Sequence, residues 1–147
     1  MDNGDLIFTQ AYSSSYNNVN LFNYKFKRTD TLAGSSSYGY ADGNATAARY
    51  RSPMGLLKAT EEIVMIADQG NNRVRILNLT NNFTTTFCTG MPKVCSFHSP
   101  TSLLLTNDAL LIGENNRIVK VRGKWVHRYI ISSLDNIIFV FGIWHSN

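Results

Sequence analysis

The sequence predicts an all-β protein, and three observations carry that prediction. Charged residues make up only 16% of the 147-residue chain, against the ~25% of an average globular domain. Asn, Ser and Thr take their place, 16, 13 and 12 of them, whereas a helical bundle wants Glu, Lys and Ala on its surface. Short β-branched runs are closed by turn residues, as in Ile63-Val64-Met65-Ile66-Ala67 followed by Asp68-Gln69-Gly70-Asn71-Asn72. A hydrophobic content of 44% is enough for a core and argues against disorder. The length predicts one domain, and no run reaches the ~18 apolar residues of a membrane-spanning helix.

Comparing the chain with itself exposes a repeat. Ile63–Ala67, its turn and Arg73-Val74-Arg75-Ile76 are echoed by Leu110-Leu111-Ile112-Gly113-Glu114-Asn115-Asn116-Arg117-Ile118, which places Arg73 and Arg117 44 residues apart. Upstream, Ser52-Pro53 is echoed by Ser99-Pro100, with the prolines 47 residues apart. A weaker copy opens with Asp5-Leu6-Ile7-Phe8 and continues at Asn17-Asn18-Val19-Asn20-Leu21.

Within a copy the residues read as strands. Val74 and Ile76 alternate with Arg73 and Arg75, which predicts a strand with one wet face. Asp68 suits the turn because its carboxylate can accept backbone N–H groups two residues on. Gly70 tolerates the positive φ that such a turn can need, and Asn71 and Asn72 do likewise at modest cost. Arg73 is expected to pair with Asp68 across the turn. A unit of three or four strands recurring every ~40–50 residues is the signature of a β-propeller blade, which buries its faces only by stacking on neighbours.

Five spaced elements then resemble the NHL repeat. They are Thr31-Leu32-Ala33-Gly34, Gly39-Tyr40-Ala41-Asp42-Gly43, Ala47-Ala48-Arg49-Tyr50, Ser52-Pro53-Met54-Gly55-Leu56 and Ile66-Ala67-Asp68-Gln69-Gly70-Asn71-Asn72-Arg73-Val74-Arg75. In the second copy Gly113-Glu114 replace the Ala-Asp of the pattern, and the Asp-Gly loop is missing. The resemblance implies an incomplete propeller of antiparallel blades, a fragment of a six-bladed ring. Residues 1–34 form a partial first blade, 35–90 the best-matching repeat and 91–121 a second repeat. Residues 122–147 are off pattern and read either as a hairpin across Leu134-Asp135-Asn136 or as sequence outside the domain. Closing the ring then requires further blades or oligomerisation.

The resemblance implies a binding platform, and the residues add little chemistry to it. No G-x-S-x-G, HExxH or phosphate-cradling loop occurs. The peptide-amidating lyase, an enzyme on a propeller of this type, uses a set of zinc-binding histidines. Only His98 lies in the matching region here, so that set is not carried over. Cys95-x-x-His98 with Cys88 upstream falls short of four paired zinc ligands. The Asp68 turn lacks the twelfth-position Glu of a calcium loop, since position 79 is Leu. No cofactor is expected. Cys88 and Cys95 read as a disulfide closed by Gly90 and Pro92 or as two free thiols. Asn44, Asn78 and Asn82 open glycosylation sequons. These hints favour an extracellular setting, although Met1–Phe8 has no secretory signal pattern.

Two functions of different class follow, with a peptide-amidating-lyase-like enzyme fragment as the third reading. The first is a non-catalytic scaffold whose loops take a protein or glycan partner. The second is an RNA-binding propeller of the ubiquitin-ligase-associated type. It is motivated by the formal charge of +4 and by Arg117, Lys120, Arg122, Lys124 and Arg128, although a solvated strand face explains such a cluster more simply.

Overall fold

The computed structural model describes residues 4–11, 16–87, 97–107, 109–122, 131–134 and 137–140. β1 (Leu6–Ala11), β2 (Asn17–Asn23) and β3 (Arg28–Ser35) form a three-stranded antiparallel meander. The central sheet holds β4 (Gly43–Asn44), β5 (Pro53–Lys58), β6 (Ile63–Asp68), β7 (Arg73–Asn78) and β8 (Phe83–Thr86), with β5 to β8 in chain order and β4 outside β8. β9 (Ser102–Leu105), β10 (Ala109–Gly113) and β11 (Ile118–Arg122) begin the third sheet. β13 (Ile137–Val140) runs parallel to β11 and antiparallel to β12 (Ile131–Leu134). β8, by contrast, runs antiparallel to β7.

The three sheets stack as blades of an incomplete β-propeller. β5 lies against β1 on one side and β9 on the other. Arg73 belongs to the central sheet, while Arg117 leads into the third. Two apolar layers hold the stack. Val19, Ala33, Val64, Ile66 and Leu77 fill the space between the first and second blades. Met65, Val74, Phe87, Leu110, Ile112 and Val119 fill the space between the second and third.

β6 therefore sends alternate side chains into two different cores, which is why it reads as an unbroken apolar run rather than an alternation. The expected wet face of β7 is absent for the same reason, because Arg75 is completely buried. Close approach sets the blade spacing. A Cβ on Gly55 would stand 2.6 Å from the Thr101 carbonyl oxygen of the next blade.

The register also identifies equivalent positions. Val19 faces Thr9 and Ala33, as Val74 faces Ala67 and follows the β8 side at Phe87. β1, β2 and β3 thus correspond to β6, β7 and β8. A counterpart of the inner strands β5 and β9 is absent from the first sheet among the described residues.

Candidate functional site

Arg75 organises the central blade. Its Nη1 donates to Asp68 Oδ2 at 2.9 Å and to the Arg49 carbonyl at 2.9 Å. Its Nη2 donates to Asp42 Oδ1 at 2.7 Å and to the Ala41 carbonyl at 2.6 Å. The Tyr40 and Tyr50 rings lie 5.1 and 5.2 Å from the guanidinium carbon. One buried cation thus fastens the loop of residues 39–50, with β4 at its centre, to the outer strands of the blade. Asp42 continues the connection by accepting the Thr86 backbone N–H and hydroxyl. Tyr40 and Tyr50 reach Thr86 and Thr84 through their hydroxyls, at 3.0 and 2.7 Å.

Asp68 is completely buried at the same point, and its partner is Arg75 rather than the expected Arg73. Nor does its carboxylate bond backbone two residues on: Oδ1 accepts the Arg51 N–H at 2.7 Å, and Oδ2 also accepts Asn71 Nδ2 at 2.8 Å. Burial pushes the Asp68 carboxyl above the ordinary range, while the Arg51 N–H, Asn71 and Arg75 pull it back. Desolvation likewise lifts the Tyr50 hydroxyl to about 12 against the pull of Thr84 and Arg75.

Gly70 does not take a positive φ. It is required because a Cβ there would stand 2.6 Å from Arg51 Cγ, and its N–H binds the Arg51 carbonyl at 2.8 Å. Asn72 does adopt the left-handed conformation, at φ 53°. Asn71 uses its amide to bridge Asp68 to the Gly39 carbonyl.

Above this node lies an exposed patch of rings and cations. Arg73 sits 4.3 Å from the centre of the Tyr40 ring, and Arg51 sits 5.7 Å from that of Tyr38. Arg49 passes over Gly39, where a Cβ would meet its Cδ at 3.4 Å. Tyr38 and Tyr40 are about half exposed, at 56% and 49%. Among the described residues no carboxylate pairs with Arg49, Arg51 or Arg73, because Asp42 and Asp68 are both committed to Arg75. This patch was the part of the site hidden from sequence reading: Tyr38, Tyr40, Arg49 and Arg51 meet Arg73 only through the loop that Arg75 holds down.

The third blade rebuilds the turn with other residues. Glu114 takes the place of Asp68: its Oε1 accepts the His98 N–H at 2.8 Å, as Asp68 accepts that of Arg51. The residue equivalent to Arg75 is Val119, so Glu114 turns to Arg117, at 2.6 Å. Arg117 also meets His98 Nδ1 at 2.9 Å. Pro53 and Pro100 are buried at the same point of their blades. His98, Ser99, Asn115, Asn116 and Arg117 line an open recess of about 640 Å³.

Of the predicted basic cluster, Arg117 is engaged with Glu114 and Lys120 lies on β11, as does the backbone of Arg122. Lys124 and Arg128 lie outside the described residues, as do Cys88 and Cys95. The three sequons converge on one corner of the central blade. Asn44 and Asn78 both face Phe83 across the sheet, and Asn82 accepts the Ala45 N–H at its carbonyl. Among the described residues no three His, Cys, Asp or Glu side chains gather as metal ligands, and no helix is long and apolar enough to cross a membrane.

No family model matches the sequence, and no curated protein matches it. The fold is similar to solved structures. One is an auxiliary nutrient binding protein from Bacteroides ovatus, with TM-score 0.53 at 21% identity, covering 69% of this chain and 31% of that one. A second, of the same description, is from Bacteroides thetaiotaomicron, with TM-score 0.51 at 18% identity, covering 65% of this chain and 29% of that one. A structural genomics protein of unknown function from the latter organism gives TM-score 0.60 at 17% identity, covering 75% of this chain and 30% of that one. The chain thus spans about a third of their length, and at these identities the likeness is one of fold.

Proposed function

We propose that the chain is a non-catalytic binding module that presents the loops at one end of its blades to a protein or glycan partner bearing negative charge. The patch of Arg49, Arg51 and Arg73 between Tyr38 and Tyr40 carries this reading, because Arg49 and Arg51 are exposed, Arg73 is partly so, and among the described residues no acid neutralises them. Two of the similar structures are named nutrient binding proteins, in keeping with binding rather than turnover. Chemical-shift titration of the chain with an acidic peptide, a sulfated oligosaccharide and neutral counterparts tests it. Saturable binding of an acidic ligand, abolished in the combined Arg49→Ala, Arg51→Ala and Arg73→Ala variant, is the expected result. Binding that survives in this variant would refute it.

The same guanidinium groups beside exposed rings favour single-stranded RNA as a second reading, since bases stack on aromatic faces and cations meet phosphates. RNA affinity that falls steeply with salt, and is lost in the same variant, would support it. Absent or salt-independent binding removes it.

A further inference from the structure

Ser52 and Ser99 each precede a proline, a place that favours extended backbone, yet both are left-handed, at φ 50° and 49°. Each is held there by an asparagine of the preceding blade. The Ser52 N–H donates to Asn17 Oδ1 at 2.9 Å, and the Ser99 N–H donates to Asn72 Oδ1 at 2.7 Å. Asn17 and Asn72 are equivalent, each standing two residues before a completely buried valine, Val19 or Val74. The two blade-to-blade junctions therefore use one device: a turn asparagine captures the amide of a Ser-Pro lead-in.

The third blade carries the same device without a partner among the described residues. Asn116 precedes Ile118 as Asn72 precedes Val74, and it is exposed beside the open recess. Two apolar side chains of the same blade are exposed. Ile118 is 56% exposed where Val74 is buried, and Leu104 is 57% exposed where its counterpart Leu57 packs against the third blade.

We infer that this face, Asn116 with Leu104 and Ile118, is a docking surface for one further blade of the same repeat, whose Ser-Pro lead-in donates its serine amide to Asn116 Oδ1. The occupant follows from the two complete junctions, each of which pairs a captured serine amide with a covered valine. The recess is on this account an empty half of a junction rather than a ligand pocket. The inference stands apart from the binding role proposed above.

Repeating residues 79–122 once, between Arg122 and Gly123, tests it, because Asn78 and Arg122 are equivalent and the insertion continues the repeat in register. In the 147-residue chain, Asn72→Ala is expected to lower the thermal midpoint and Asn116→Ala to leave it unmoved. In the extended chain, Asn116→Ala is expected to lower it. An Asn116→Ala variant that destabilises the shorter chain, or is silent in the longer one, overturns the inference. So does an added repeat whose amides exchange as freely as those of an unfolded segment. The shorter chain gives a second test that needs no insertion: Val74→Ser is expected to lower the midpoint by several degrees and Ile118→Ser to leave it in place. Equal losses at the two positions refute an uncovered docking face.

Discussion

Replacing Arg75 by Met removes a guanidinium with no exposed surface that makes four hydrogen bonds, two of them to carboxylates. The hydrocarbon stem is largely kept, so the loss is electrostatic. Asp68, also completely buried, is left with the Arg51 N–H and Asn71. Removing one partner of a buried pair costs ~3–5 kcal/mol, because an unpaired charge stays behind. Set against a total stability of ~5–15 kcal/mol for a domain, this brings the blade close to unfolding at neutral pH.

The pH dependence has a definite sign. Burial already raises the Asp68 carboxyl, and the loss of Arg75 takes away one of the groups opposing that rise. A carboxyl whose folded pKa is raised contributes stability below its unfolded value, and this is lost as pH rises through the folded value. The penalty of Arg75→Met should therefore shrink as the pH is lowered from 7 toward the ordinary carboxylate range. Adding Asp68→Asn should recover part of it at neutral pH. Urea unfolding followed by far-UV circular dichroism at several pH values measures both effects. A single-variant loss below about 1 kcal/mol, or one that does not vary with pH, would contradict the burial of an ion pair at this point.

Three further outcomes are expected. Tyr50 is completely buried with its hydroxyl raised from 10.0 to about 12, so the stability it contributes is intact below pH 10 and lost as the pH climbs from 10 to 12. This amounts to roughly 2–3 kcal/mol at ~1.4 kcal/mol per unit, and alkaline unfolding of Tyr50→Phe should lack that step. Gly55→Ala places a methyl against the Thr101 carbonyl, and overpacking of this kind costs ~1–3 kcal/mol; a denaturant midpoint equal to that of the parent would count against close blade contact. Glu114→Ala frees the His98 N–H and Arg117 together, and the loss of a charge-assisted hydrogen bond costs ~1.5–3 kcal/mol. Faster exchange of the His98 amide checks it, and unchanged protection would argue that another group holds that amide.

The strand content and blade character were legible because they rest on local signals. The apolar runs, the Ser-Pro lead-ins and the Asn-Asn-Arg turns recur at blade spacing, and each is a few residues long. What the sequence hid depends on contacts between distant segments. Arg75 reads as a solvent-facing member of an alternating strand, but a blade buries both of its faces, and the acids that neutralise it come from positions 42 and 68. Gly70 reads as a turn glycine, whereas its constraint is the Arg51 backbone some twenty residues upstream. The exchange of Asp68 for Glu114 was visible, but its consequence was not: the cross-turn pair expected at Asp68 and Arg73 is realised in the third blade, where Val119 stands in place of Arg75. The Tyr38–Arg73 patch was invisible for the same reason, since the 39–50 loop carries no periodicity of its own.

In a propeller the sheets stack face to face about an axis instead of joining edge to edge. Backbone nuclear Overhauser contacts between β5 and β9 test it most directly. Stacked blades predict a contact from Gly55 to Ser102 Hα with the Ser99 amide near Asn72, and no ladder of paired amides running from β5 into β9. A regular strand-to-strand ladder joining the second and third sheets would contradict the propeller.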